Sequence, residues 1–206
     1  MGVCTKKKAD APVVEAWLAN VRQMGDDLAE VSGVAPAESS VFAGDARDPG
    51  TVIAPQSIDA VFTSPPYPNE KDYSRTTRLE TVILGFASNK SDLQSIKRGL
   101  LRSNTRTVYK GDADNQFVER FPAVQQIAEA IEARRVEMGK TSGFERLYPT
   151  VIRLYFGGMA RHLAQLRPLL RPGACLGYVV GDQASYLRVM IRTGTILCEI
   201  SESLGY

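Results

Sequence analysis

The stretch SIDAVFTSPPY, residues 57–67, combines a short apolar run with two consecutive prolines and an aromatic residue. Residues 57–64 are apolar enough to predict a strand that is buried on both faces of a sheet. Proline has no backbone N–H for a sheet ladder and breaks helices, so the strand must stop at Ser-Pro-Pro-Tyr. The stretch therefore predicts a rigid segment of four residues, Ser64–Tyr67, at the end of a buried strand, and we call this segment the tetrad. The alternative is a simple turn with a packed tyrosine.

Two other segments are predicted to be strands of the same sheet. Residues 39–44, SSVFAG, precede the tetrad and run into the turn DARDPG, and residues 174–182, ACLGYVVGD, lie far downstream. Helical patterns separate the three apolar runs, which indicates an α/β fold with a mostly parallel sheet. Because ligands bind at the carboxyl ends of such strands, we expect GDARD, TSPPY and VGDQAS to meet at one edge.

Helical periodicity predicts three long helices, over residues 11–31, after the Pro122 boundary and over residues 150–170. Glycine and proline predict where these helices weaken or end. The first helix is predicted to break near Gly25, and the third to loosen at Gly157-Gly158 and to end at Arg171-Pro172-Gly173. The chain then divides into four predicted parts. These are a disordered lead at 1–11, the first part of a main domain at 12–70, a helical insertion at 71–148 and the second part of the main domain at 149–206.

The predicted insertion begins with a strongly basic segment. Residues 71–110 hold nine Lys and Arg against three Asp and Glu, whereas the net charge of the whole chain is only +2. Such a local excess predicts contact with nucleic-acid phosphates, although a solvated helix surface is an alternative. The candidates for these contacts are Arg75, Arg78, Arg102 and Arg106.

The composition is that of a globular protein and limits the kinds of site. The chain has 206 residues, 44% of them hydrophobic and 23% charged, and no apolar run long enough for a membrane span. The single histidine, His162, and three widely separated cysteines do not make a metal site. We therefore expect a cytoplasmic protein that uses no metal and does not bind a membrane.

With VFAGDARD before it and LRPGACLGYVVGD after it, SIDAVFTSPPY resembles the amino-group DNA methyltransferases. These enzymes methylate N4 of cytosine or N6 of adenine with S-adenosylmethionine. The resemblance extends from about residue 39 to residue 182. It implies a Rossmann-like methyltransferase sheet with a helical insertion, double-stranded DNA as the partner, and a restriction-modification partner or second subunit.

The resemblance also implies roles for the tetrad. The Ser64 hydroxyl and the Pro65 carbonyl would accept the N–H bonds of the target amine, and Pro66 helps to fix that carbonyl. Tyr67 would stack on a base extruded from the duplex, because the amine is out of reach inside it. A serine at the first tetrad position is typical of cytosine N4 methylation, with adenine N6 as the close alternative.

Two residues of the GDARD segment are implied to lie near the cofactor. By the resemblance, Asp45 and Ala46 form the corner beside the adenine of S-adenosylmethionine, with Asp45 accepting from its amino group. Asp45 as a cap of the turn before Pro49 is an equal alternative.

The glycine-rich cofactor loop of the family, which resembles D-P-F-x-G-x-G, is not found in this sequence. Residues 157–158 carry two glycines, but they lie within a helical pattern without a preceding strand. The sequence is therefore interpreted as a partial methyltransferase chain. Two alternatives stay open: a non-catalytic DNA-binding or partner subunit, and an RNA or protein-amide methyltransferase.

Overall fold

The computed structural model describes residues 12–34 and 37–206, and it divides the chain into two compact units, Met1–Val41 and Phe42–Tyr206. In the first unit, helix α1 spans Val13–Val31. This confirms the predicted helix, but the helix runs through Gly25 without a break. The predicted disordered lead, 1–11, lies outside the described residues.

The second unit contains a small sheet and six helices among its described residues. The strands are β1 (Ile58–Thr63) and β2 (Leu170–Tyr178). The helices are α2 (Tyr73–Thr76), α3 (Arg78–Ile83), α4 (Lys90–Gly99), α5 (Pro122–Glu137), α6 (Gly143–Leu166) and α7 (Thr193–Ser203). Single 3₁₀ turns lie at Pro49–Thr51, Thr105–Thr107, Asp114–Val118 and Arg167–Leu169.

The two strands are parallel neighbours, in an α/β arrangement compatible with a methyltransferase-like fold. Val61 pairs with Leu176, and Phe62 pairs with Gly177. The ladder is irregular between Ile58 and Ala60, and the Arg-Pro-Gly-Ala segment at 171–174 lies in this interruption. The sequence predicts a larger Rossmann-like sheet, whereas the described residues form a sheet of two strands.

Three strand predictions are wrong in detail. Residues 57–64 are predicted to be buried on both faces, but β1 contains no buried residue, and Phe62 in it is 85% exposed. Residues 39–44 form no strand in the described part of the chain, and Val41 there is 99% exposed. Two β-prone residues do not make a strand without a neighbour that completes their backbone hydrogen bonds. The downstream strand begins at Leu170 rather than at 174 and ends at Tyr178, so the segment 180–185 is a loop.

Helix α6 is the centre of the hydrophobic core. It is buried almost all round between residues 151 and 160, and it packs against α5, α7 and the turn at Asp114–Val118. It begins at Gly143 and ends at Leu166, so the predicted helix at 150–170 starts too late and stops too late. The predicted loosening at 157–158 is also wrong, because the helix is continuous there and the glycines serve close packing.

The predicted insertion, 71–148, holds α2 to α5 and the start of α6, with loops between them. Its boundaries as a separate unit stay a prediction. No helix among the described residues is both long enough and apolar enough to cross a membrane.

Candidate active site

A cavity of about 270 Å³ lies at the carboxyl end of β1, and we call it the Ser64 pocket. Its lining comes from the GDAR turn, the end of β1 with the first tetrad residues, the end of α4, α6 and β2. The residues are Gly44, Asp45, Ala46, Arg47, Thr63, Ser64, Pro65, Pro66, Gly99, Leu100, Leu101, Met159, His162 and Tyr178. Two of the three predicted segments, GDARD and TSPPY, therefore meet here, whereas Asp182 and Gln183 do not line the pocket.

The tetrad presents an exposed hydroxyl on a backbone that the prolines restrict. Ser64 is exposed, and its Oγ lies 3.4 Å from the hydroxyl of Tyr67. Pro65 and Pro66 are half-buried, and their rings fix φ in the segment between strand and tyrosine. The backbone N–H of Tyr67 donates to the hydroxyl of Tyr73 at 3.5 Å, which ties the tetrad to the start of α2.

Glu70 anchors the segment that follows the tetrad, a contact that the sequence analysis missed. Its carboxylate accepts from the backbone N–H and the hydroxyl of Thr105, both at 2.8 Å. Its own N–H donates to the hydroxyl of Tyr186 at 3.3 Å, and that hydroxyl donates to the Ser103 carbonyl at 3.0 Å. In the sequence Glu70 and Tyr186 belong to no motif, and they lie more than one hundred residues apart, so nothing there predicts their contact.

Asp45 and Arg47 form the charged wall of the pocket. The Asp45 carboxylate accepts from both Nε and Nη2 of Arg47, and Arg47 also bonds the Asp114 carboxylate at 2.6 Å. Burial alone would raise the pKa of Asp45, but the bonds from Arg47 outweigh burial and leave that pKa lowered. The bonds that Arg47 donates to Asp45, joined by those that it donates to Asp114, raise the pKa of Arg47 against the effect of burial.

Ala46 is held by the only histidine of the chain. Nδ1 of His162 lies 2.5 Å from the Ala46 carbonyl, and Nε2 lies 2.5 Å from the Tyr178 hydroxyl. A carbonyl can only accept, so Nδ1 carries the proton and Nε2 accepts from the tyrosine. Burial lowers the pKa of His162, and burial raises the pKa of Tyr178, so both groups stay neutral near pH 7.

The stability of the fold is expected to fall as the pH drops below about 6.5. Above that value both the folded and the unfolded chain carry a neutral His162. Below about pH 6.5, His162 takes up a proton in the unfolded chain, whereas in the folded chain it stays neutral because burial lowers its pKa. The free energy of unfolding then declines by at most about 1.4 kcal/mol per pH unit, until the pH reaches the lowered pKa of the folded state.

Urea unfolding between pH 8 and pH 5 measures this effect. His162→Asn keeps a donor for the Ala46 carbonyl but does not titrate, so its stability is expected to change less over the same range. Since the chain has no other histidine, an identical slope in wild type and variant would contradict the prediction.

The four predicted DNA-binding arginines fall into two groups. Arg75, Arg78 and Arg106 are exposed, and no described acidic side chain forms a salt bridge with them. Arg102 is only 4% exposed. Its guanidinium bonds both oxygens of Asp112 and the carbonyls of residues 97, 98 and 100. All five donors are used, so Arg102 fixes the loop after α4 and has none left for a phosphate.

Two further observations bear on what the site can hold. Among residues 12–34 and 37–206 no three His, Cys, Asp or Glu side chains are grouped as metal ligands would be. The hydroxyl of Tyr155, one helical turn before Met159 of the pocket wall, is buried without a hydrogen-bond partner among the described residues. A buried hydroxyl without a partner is costly.

The chain is similar to two curated methyltransferases. Both carry the name Type II methyltransferase M.AvaI, one from Nostoc sp. (strain PCC 7120 / SAG 25.82 / UTEX 2576) and one from Anabaena variabilis. Each is 28% identical to the chain over 153 residues, which cover 72% of this chain. The aligned part spans only 30% of the length of each relative.

This distant similarity supports the resemblance to methyltransferases at the level of the class. It does not separate the amino-group subtype from others. No family model matches the chain, and no solved structure matches it at a significant level.

The Ser64 pocket has one feature that an S-adenosylmethionine site would need and one that opposes it. The GDAR turn and the tetrad open into the same cavity, as cofactor and target amine would require. The Asp45 carboxylate, however, is already occupied by Arg47, so an adenine amino group would have to share it. The Ser64 hydroxyl of the cavity is thus exposed, whereas the Asp45 carboxylate is already hydrogen-bonded.

Proposed function

We propose that this chain is part of a DNA methyltransferase that methylates an exocyclic amino group of a base held in the Ser64 pocket. The observation that carries the proposal is the convergence of residues 44–47 and 63–66 on one cavity. The similarity to the two Type II methyltransferases supports the class. Cytosine N4 is the favoured target because the tetrad begins with Ser64, and adenine N6 is the alternative.

The tetrad would prepare the target nitrogen for attack. The amine of a base is a weak nucleophile because its lone pair is delocalised into the ring. Acceptance of its two N–H bonds by the Ser64 hydroxyl and the Pro65 carbonyl would hold the nitrogen closer to tetrahedral geometry and free the lone pair. The prolines keep that carbonyl in place before the base arrives, so no reorganisation is needed.

Tyr67 would stack on the extruded base, and S-adenosylmethionine, when bound, supplies an electrophilic methyl group. Asp45 and Ala46 are proposed to lie on the cofactor side of the cavity. The transfer would form a bond between the target nitrogen and the methyl carbon while the sulfur–carbon bond of the donor breaks to leave a neutral thioether, and the nitrogen would lose one proton to solvent. The hydrogen-bonded Ser64 and Pro65 oxygens would stabilise the positive charge that develops on the nitrogen.

Double-stranded DNA is the proposed partner, with Arg75, Arg78 and Arg106 as phosphate contacts. These side chains are exposed and without an acidic partner among the described residues, so they can exchange counterions for phosphates. A second subunit or a restriction-modification partner is part of the same proposal.

Transfer of labelled methyl from S-adenosylmethionine to duplex DNA tests this function. Ser64→Ala is expected to lower the rate by about 10²-fold or more, as loss of one preorganised hydrogen-bonding group does. Tyr67→Ala is expected to weaken base binding by about 1–3 kcal/mol, whereas Tyr67→Phe keeps the ring and most of the binding. The exposed Ser95 of α4 gives a control variant, Ser95→Ala, that should leave the rate unchanged.

The products and the failures of this assay separate the alternatives. Nucleoside analysis distinguishes N4-methylcytosine from N6-methyladenine. Methyl transfer to RNA or to a protein amide, with none to DNA, would contradict DNA as the substrate and support an RNA or protein-amide methyltransferase. Binding of DNA without any transfer would favour the non-catalytic subunit, for which the glycine-rich loop absent from the sequence is the specific support.

A further inference from the structure

A second cavity, of about 500 Å³, lies in the basic segment beside α4, and we call it the α4 cleft. Five of the residues that line it are cationic and none is acidic. The cations and the aromatic residue of its wall are Arg78, Lys90, Lys97, Arg98, Arg106 and Tyr109. A concave surface of one charge concentrates anions, because its potentials add within the cavity.

Four of the five cations of the cleft have no counterion among the described residues. Only Lys97 is paired, with Asp72 at 3.0 Å, and Arg78, Lys90, Arg98 and Arg106 form no salt bridge with any described residue. Elsewhere the described chain matches many of its cations with acids, as on α5, where two arginines bond two glutamates. The cleft is therefore a place where the fold leaves positive charge for an outside anion.

One cation of the cleft is held in position from within the chain. The Arg98 guanidinium lies 5.4 Å from the centre of the Tyr109 ring, a cation–π distance. The backbone N–H of Tyr109 donates to Asp112 at 2.7 Å, and Asp112 is itself clamped by Arg102. A side chain that is already ordered loses less conformational freedom when it binds a ligand. Arg102, which cannot reach a phosphate, thus supports an arginine that can.

The α4 cleft adjoins the Ser64 pocket along one helix. Lys90, Lys97 and Arg98 of α4 line the cleft, and the three residues that follow, 99–101, line the pocket. A polyanion lying in the cleft would therefore pass directly beside the place proposed for the target base.

We propose that the α4 cleft binds the sugar-phosphate backbone of DNA beside the base that enters the Ser64 pocket. This inference rests on the proposed function. It adds Lys90 and Arg98 to the phosphate contacts expected from the sequence, and it assigns Tyr109 as a positioning residue for Arg98.

Binding of labelled duplex DNA to the whole chain, measured between about 50 and 200 mM salt, tests the inference. The double variant Lys90→Gln/Arg98→Gln removes two cleft cations. It is expected to reduce the slope of log K against log salt by about 1.8 and to weaken binding at least about tenfold at the lower salt. Both side chains are exposed, and an unchanged melting temperature would show that the variant is folded.

A charge-matched control separates the cleft from net charge. Arg134→Gln/Lys140→Gln removes two cations outside the cleft, each already paired with a glutamate, and should change the slope little. If the two double variants weaken binding equally, the cleft inference is overturned while DNA remains the partner. Competition by tripolyphosphate as strong as by DNA of equal phosphate content would mean a site for free phosphate anions and would also overturn it.

The inference and the proposed function fail in different ways. If the cleft variant loses salt-dependent DNA binding but wild type transfers no methyl group, the cleft inference is supported and the proposed enzymatic function is wrong. If the cleft variant transfers methyl groups to DNA at the wild-type rate at the lower salt, the proposed enzymatic function is supported and the cleft inference is wrong. A wild-type chain that binds no DNA at the lower salt overturns the cleft and the proposed DNA partner together.

Discussion

Gly157→Ala is expected to destabilise the second unit by about 3 kcal/mol, at the upper end of what overpacking costs. A Cβ on Gly157 would overlap the carbonyl oxygen and carbonyl carbon of Asp114, and it would lie 3.0 Å from the Asn115 nitrogen. These are backbone atoms at the centre of the contact between α6 and the turn at Asp114–Val118. A flexible side chain could move aside, but this turn cannot move without disturbing the Asp114 carboxylate and its bonds to Arg47.

Thermal and urea unfolding measure this loss, which corresponds to a fall in melting temperature of about 6–12 °C for a unit of this size. Gly143→Ala is the matched control, since Gly143 opens the same helix and a Cβ there meets nothing within 4 Å. It is expected to be neutral or slightly stabilising, because alanine is a better helix former than glycine. Equal effects of the two substitutions would show that the close approach at Gly157 does not exist.

Arg47→Met is expected to cost about 3–5 kcal/mol, because it removes the cation from between two carboxylates. Methionine keeps the apolar stem of the side chain and removes only the guanidinium. Asp114, whose side chain is 10% exposed, then keeps only Arg161 at 3.3 Å, and Asp45 loses its partner. Removal of one member of a buried pair leaves an uncompensated charge, and this is more costly than the absence of the whole pair.

Urea unfolding of three variants measures the cost and tests its cause. Arg47→Met/Asp114→Asn is expected to recover part of the stability, because the charge left without its partner is also removed. The control is Arg171→Met, whose ion pair with Asp59 is exposed and worth at most about 1 kcal/mol. The prediction fails if Arg47→Met costs no more than Arg171→Met.

The sequence predicts the local features of this fold better than its contacts. The end of β1 at the tetrad follows from two prolines, and α1 and α5 follow from periodicity and from Pro122, so chain-local chemistry decides them. The strand expected at 39–44 fails, because strand formation depends on a partner elsewhere in the chain. Gly157 reads as a weak point of a helix in sequence, whereas its role depends on a turn more than forty residues earlier.

The candidate site follows the same division. The tetrad and the GDARD turn carry recognisable residue types, and both line one cavity as expected, although residues 39–44 form no strand of the sheet. The positions of Arg47, His162 and Glu70 could not be predicted, because each acts through a partner that is distant in sequence. In the sequence Arg102 looks like its basic neighbours, and only the structure shows that it is buried and paired with Asp112.

The bonds of Glu70 to Thr105 have a thermodynamic consequence. They join the tetrad segment to the loop between α4 and α5, so a shift of that loop strains or breaks two hydrogen bonds to a charged group. A ligand that binds the loop only in an arrangement without these bonds would therefore change the affinity at the tetrad. By reciprocity, a ligand at the tetrad changes the affinity at the loop by the same factor.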